Sequence, residues 1–277
     1  MRAILALAAM AGVALAGQAA AAPSVEIRRA VARVIIIPEN RPDVAITVVR
    51  TNPRLPLRIS RVGDQLVVEG DVGMRVGGCG SWLGRPRVKV WGVGDVGWGD
   101  MPQLVIRTPM EVRASASGAV FGVVGRAASV DLGNSGCGDW TVADVSGPLR
   151  VRISGSGDTH AGAAASGDLR ISGSGDISAR RVENGLNAAT SGSGDIQAGQ
   201  VNGPLRVRVA GSGDVRARGG QVTAMDVSVA GSGDVSFGGV ARSLTANVAG
   251  SGDVTVARVT GPVVKHVAGS GDVRAGR

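Results

Sequence analysis

Four residues, Gly-Ser-Gly-Asp, recur seven times: at Gly155–Asp158, Gly173–Asp176, Gly192–Asp195, Gly211–Asp214, Gly231–Asp234, Gly250–Asp253 and Gly269–Asp272. A variant, Gly136-Cys137-Gly138-Asp139, stands one period earlier. The aspartates fall at Asp139, Asp158, Asp176, Asp195, Asp214, Asp234, Asp253 and Asp272, in steps of 19, 18, 19, 19, 20, 19 and 19 residues. Self-similarity at that period means stacked copies of one supersecondary unit.

Aligning the copies on the aspartate gives the unit. Apolar residues stand nine before it (Leu149, Leu186, Leu205, Leu244), seven before it (Val151, Leu169, Val207, Val227) and five before it (Ile153, Ile171, Val209, Val229). Val or Ile usually follows it directly, and Ala or a larger apolar residue stands three after. Arg150, Arg152, Arg206, Arg208, Asp226 and Asn247 fall between these positions. Alternation puts one set on each face of a strand. Each coil is therefore a strand, a glycine corner, a second strand and a looser return, often marked by Gly-Pro. One coil alone leaves its backbone groups and its apolar face without partners. Stacking at ~4.8 Å supplies both, and nine coils from Ala119 to Asp272 give a column of roughly 38 Å. The fold class is all-β: a single-stranded parallel β-helix, or β-solenoid, of about 19 residues per coil, with a few N-terminal strands as cap. No segment shows a sustained helical period, and the repeats are rich in Gly. With no Tyr and only two Phe, the core is aliphatic.

Glycine at the corner serves positive φ or close backbone approach. Ser and Asp there can accept from nearby backbone N–H groups. Carboxylates stacked ~4.8 Å apart repel, by on the order of 3 kcal/mol per pair at an effective dielectric near 20. Backbone donors, neighbouring Arg or a cation must offset that. Calcium-binding Gly-Gly-x-Gly-x-Asp repeats have half this period, and only Ser166-Gly167-Asp168 looks like an intermediate half-repeat. The eight aspartates are read as a structural turn ladder, with no metal site and no cofactor.

Three segments make up the chain. Residues 1–22 read as a signal peptide of Gram-negative type: Arg2, a short apolar run from Ala3 to Ala16, then small residues suited to cleavage. That run is too short to span a bilayer, so the protein is read as exported to the periplasm or the cell surface and not as integral to the membrane. Residues 24–102 hold N-terminal strands that alternate around Val34, Ile46, Ile59 and Val67, then a Gly-, Trp- and Cys-bearing long loop or hairpin over 72–101. The solenoid runs over 103–277, continuous with the strands before it.

The serial Gly-Ser-Gly-Asp turns, Val34–Val49, Leu57–Gly70 and the run Leu104-Val105-Ile106-Arg107-Thr108-Pro109 into Ala114–Gly118 resemble the auto-transporter adhesin head GIN domain family of exported bacterial proteins. The resemblance covers roughly residues 27–275 and implies a β-helix with N-terminal strands and an adhesin-like role. It brings no catalytic residues. The insertion over 72–101 and the basic charge depart from it.

Cys79 and Cys137 lie in near-copies, Gly-Cys-Gly-Ser-Trp and Gly-Cys-Gly-Asp-Trp. As ordinary coils they would sit ~14 Å apart, too far for the ~7 Å limit of a disulfide. A loop folding back on the first coils makes the bond feasible, and export favours it. Trp82, Trp91, Trp98 and Trp140 are expected in one cluster. His160 projects to solvent. Lys265 falls on an inward position beside His266, where charge stops further edge pairing.

Without Arg2, the 30 basic residues become 29, against 22 acidic, a net +7. Such charge favours polyanions, and the pairs Arg150/Arg152 and Arg206/Arg208 suit an acidic polysaccharide. The partner is otherwise unspecified, with an envelope protein the other choice. Nucleic acid is not expected, because stacking aromatics and known motifs are lacking. The expected function is a non-catalytic, adhesin-like binding or structural module of the envelope or surface. The alternative is a polysaccharide-active enzyme on a pectin-lyase-like β-helix, which needs clustered carboxylates in a cleft.

Overall fold

The structure, a computed structural model, describes residues 22–72, 75–82 and 85–277. All of the expected signal peptide except Ala22 lies outside them.

The chain is a β-solenoid of about nine turns with about 19 residues per turn. Before each corner, strands β10 (Ser129–Asn134), β12 (Val145–Ile153), β13 (Thr159–Ile171), β15 (Leu186–Thr190), β17 (Gly203–Val209), β19 (Gln221–Val229), β21 (Leu244–Gly250) and β23 (Val263–Gly269) form one parallel ladder. After each corner, β11 (Trp140–Val142), β13, β14 (Ile177–Val182), β16 (Ile196–Val201), β18 (Val215–Gly219), β20 (Val235–Ala241), β22 (Val254–Val259) and β24 (Val273–Ala275) form a second. Register equals repeat position throughout, as in Leu186↔Leu205↔Met225↔Leu244. The period-two pattern therefore becomes aliphatic columns inside the tube. Leu205, Val207 and Val209 are buried, while Arg206 and Arg208 between them are exposed.

Four inward positions among the described residues are polar, and one of them, Thr108 on the strand over Gln103–Thr108, has a buried hydroxyl with no partner. Thr190 Oγ1 donates to the Gly194 carbonyl (3.0 Å), and Asn134 Nδ2 donates to that of Gly138 (2.8 Å), so each ties its strand to its own corner. Thr159 is also buried, and its hydroxyl has no partner among the described residues.

The stack extends N-terminal of residue 103. β1 (Ser24–Pro38) lies parallel against β9 (Glu111–Val124) on one side. On the other it lies against β4 (Gln65–Gly70) and β8 (Gln103–Thr108). β2 (Ala45–Arg50) and β3 (Leu57–Val62) pair antiparallel with β8 and β4 and form the N-terminal end. Ser166-Gly167-Asp168 is not a half-repeat corner: it lies within β13, where Gly167 is stacked between Leu149 and Leu186. The Leu186 side chain occupies the space its missing Cβ leaves.

The stretch expected as a long loop or hairpin is a small three-stranded antiparallel sheet, β5 (Val76–Trp82), β6 (Arg85–Val90) and β7 (Gly94–Gly97), followed by a 3-10 turn over Trp98–Asp100. Val88, Val90, Val96 and Met101 form a second core with Val31, Ala119 and Phe121 of β1 and β9. Here the outward face of the coil is apolar because something covers it. Trp98 meets Phe121 edge-on at 5.7 Å between centroids, and Arg33 lies over the Trp98 ring at 4.5 Å.

The four tryptophans do not form one cluster. Trp140 is fully buried inside the tube, stacked on Gly122, where a methyl would overlap its ring. Trp91 is 59% exposed beneath Lys89. The Trp82 side chain lies outside what the structure describes. Position in the coil decides where a side chain points.

Corner ladder and candidate binding groove

Each corner aspartate but the last accepts a hydrogen bond from the backbone N–H of the aspartate in the next coil, and Asp272 Oδ1 accepts from the Val273 N–H. The Oδ1 atoms of Asp139, Asp158, Asp176, Asp195, Asp214, Asp234 and Asp253 accept from Asp158, Asp176, Asp195, Asp214, Asp234, Asp253 and Asp272 at 2.8–3.0 Å. Backbone donors thus meet the column of charge, aided by Arg216 beside Asp214 (3.9 Å) and Arg274 beside Asp253 and Asp272 (3.3 and 3.1 Å). No group of three or more His, Cys, Asp or Glu among the described residues is placed to hold a metal.

The corner serines work differently from the aspartates. Their N–H groups donate to the first glycine of the preceding coil, as Ser212 does to the Gly192 carbonyl (3.2 Å). Their hydroxyls make no hydrogen bond among the described residues. That approach explains the glycine. Of the seven first glycines only Gly250 and Gly269 have positive φ; at each, a Cβ would strike the carbonyl oxygen of the equivalent glycine one coil below. Room, more than φ, selects glycine here.

Cys79 on β5 and Cys137 in the variant corner form a disulfide, with Cα atoms 5.7 Å apart. The bond pins the small sheet to the stack. His160 is exposed, and its Nδ1 lies 2.7 Å from Ser178 Oγ. Lys265 continues the column above Ala246, and its ammonium donates to the Val273 carbonyl. At the other end Arg61 donates to the Val44 carbonyl. A cation thus reaches a backbone carbonyl at each end of the stack.

The prominent concavity lies on the ladder before the corners. It is a groove of roughly 610 Å³ crossing six coils, from Ser115 to Ala210. Its lining includes Arg152, Arg170 and Arg208, a column of Ser135, Ser154, Ser172 and Ser191, and apolar Ile153 and Ile171. Among the described residues, no carboxylate lines it. The serines stand four before each aspartate, and the same position becomes Ala210, Ala230, Ala249 and Ala268 in later coils. Ser135, Ser172 and Ser191 hydroxyls donate to carbonyls one coil below, at 3.2–3.4 Å. Hydroxyl oxygens so held still offer lone pairs to a donor.

The arginines differ in their partners. Arg152 pairs with Asp131 (2.7 Å), and Arg170 pairs with Asp168 (2.8 Å), whose carboxylate pushes the guanidinium further up. Arg208 has no ion-pair or hydrogen-bond partner among the described residues. Of the expected pairs, Arg152 and Arg208 line the groove, whereas Arg150 and Arg206 belong to the next outward column, Arg206 facing Asp226 at 3.7 Å. Arg170 and the serine column were not singled out in the sequence. The run of four serines at one repeat position is the signal that finds them.

Residues 170–276 match the family described as "putative auto-transporter adhesin, head GIN domain". The head GIN match holds six of the seven Gly-Ser-Gly-Asp corners. In shape the likeness reaches further. A crystal structure of a putative adhesin from Parabacteroides distasonis aligns with TM-score 0.55 and 16% identity, over 93% of this chain and 94% of that one. At that identity the likeness is one of fold. No curated protein matches the chain in sequence.

Proposed function

We propose that this protein is an exported, adhesin-like binding module of the cell envelope or surface, and that the groove across the arginine and serine columns holds an acidic polysaccharide. The observation that carries the reading is a concave strip, six coils long, whose charged side chains are all guanidinium groups. At ~4.8 Å per coil it extends about 24 Å, so it suits an extended chain. Arginine matches carboxylate or sulfate with paired N–H donors, and serine hydroxyls suit sugar hydroxyls. The head GIN match over residues 170–276 and the signal-like N-terminus agree with export and adhesion.

The reading is non-catalytic. Glycoside hydrolysis uses two carboxyl groups flanking the scissile bond, and this groove offers none. Seven of the eight corner aspartates have Oδ1 committed to a neighbouring coil's amide and Asp272 to the Val273 amide, which leaves a structural role.

Binding is tested with polygalacturonate, a sulfated polysaccharide and neutral dextran at rising salt. The acidic polymers should bind, weaken with salt and weaken at least tenfold in Arg152→Gln/Arg208→Gln, while dextran should not bind. Equal binding of all three, or no effect of the double change, refutes the reading.

A further inference from the structure

The N-terminal end of the tube carries a surface unlike the groove. Residues 45–62, which span β2, β3 and the segment between them, contain four arginines, Arg50, Arg54, Arg58 and Arg61, and no acidic residue. Among the described residues, β2 and β3 are terminal strands, each paired on one side only. With no coil above them they leave apolar side chains in solvent: Val49 is 57% exposed and Val62 65%, with Val48 and Ile59 near two-fifths. Between the strands opens a cleft of roughly 280 Å³, lined by Val48, Leu57, Ile59 and prolines, with Arg50 beside them.

None of the four arginines forms an ion pair among the described residues. Arg50, Arg54 and Arg61 donate to the backbone carbonyls of Gly99, Val93 and Val44. Those bonds orient the guanidinium groups without neutralising them. Glu69, opposite Arg58 in the β3–β4 register, offsets part of one charge. Exposed aliphatic groups beside the cationic excess that remains match the surface of an anionic bilayer. There headgroup phosphates meet the cations, and the aliphatic groups enter the interface. A second copy fits poorly, because docking end to end would oppose four positive charges with four.

We infer that this end of the solenoid docks onto a bilayer of anionic lipid, with the tube axis rising from it. The inference is independent of the groove, which lies on the flank. End-on docking leaves that flank free.

Flotation with vesicles of phosphatidylcholine, with or without a minority of phosphatidylglycerol, tests it. Wild-type protein is expected to float with the phosphatidylglycerol vesicles only, and less so as salt rises. Arg54→Gln/Arg58→Gln should weaken binding on the order of thirtyfold. Val49→Ser/Val62→Ser should weaken it at constant charge. Both pairs are at the surface, and retained strand circular dichroism and polysaccharide binding would show that the variants are folded. Arg152→Gln/Arg208→Gln should float like wild type. Three outcomes overturn the inference: equal binding to both vesicle types, loss of flotation in the groove variant but not in the end variants, or self-association in solution that Val49→Ser/Val62→Ser abolishes.

Discussion

Replacing Asp195 separates the two things a corner carboxylate does. It accepts the Asp214 N–H at 2.8 Å, and it places a negative charge about one coil from its neighbours. Asp195→Asn removes the charge and keeps an Oδ1 acceptor; Asp195→Ala removes both. Each relieves repulsion from Asp176 and Asp214, about 1 kcal/mol per neighbour at water's dielectric, and that relief is common to both variants. Their difference is the hydrogen bond itself. For a neutral acceptor that is about 1 kcal/mol, or about fivefold in the opening equilibrium. Hydrogen exchange reads this at one residue: the Asp214 amide should exchange about fivefold faster in the Ala variant than in the Asn variant. Asp195's own amide, held by Asp176 at 2.8 Å, should be unchanged in both. The Asn variant should be at least as stable to denaturant as wild type. Equal exchange at Asp214 in the two variants would refute the claim that this bond locks the coils.

Other outcomes follow from the same geometry. Gly211→Ala should cost about 1–3 kcal/mol in a denaturant titration, because its methyl meets the Gly192 carbonyl, a backbone atom that cannot move aside; Gly219→Ala, facing open space, should be neutral. Denatured, unreduced protein should titrate no free thiol; reduction releases a crosslink spanning 58 residues, worth ~4 kcal/mol in the chain-entropy model, and should expose the small sheet to protease first. Asp144 accepts from the Ala163 N–H and from Arg180, which hold its carboxyl below its ordinary value of 3.8. Its contribution to stability is therefore present above pH 3.8 and lost as pH falls through the lower, folded value. A carboxyl titration by NMR with a midpoint at or above 3.8 would contradict this.

Periodicity alone determined the wall of the tube. A strict step near 19 residues, with apolar residues at fixed offsets from each aspartate, forces register, because a shift would turn arginines such as Arg206 and Arg208 inward and leave glycine carbonyls misaligned. The same offsets place Arg152, Arg170, Arg208 and four serines in columns, so the groove was already written in the repeat, although only its arginine pairs draw the eye. Tertiary structure decided whatever the repeat does not cover. β1 joins the stack from a non-repetitive stretch, since only the pairing partner shows which strand continues a ladder. Trp140 lies inside the tube because its coil below offers Gly122, a vacancy visible only once the two are stacked. Cys79 reaches Cys137 because the glycine-rich insertion, short in strand signal, folds onto apolar residues that β1 and β9 turn outward. And the cationic, aliphatic end exists because β2 and β3 have no neighbour above them among the described residues: alternation says which face of a strand is apolar, while only the packed molecule says whether anything covers it.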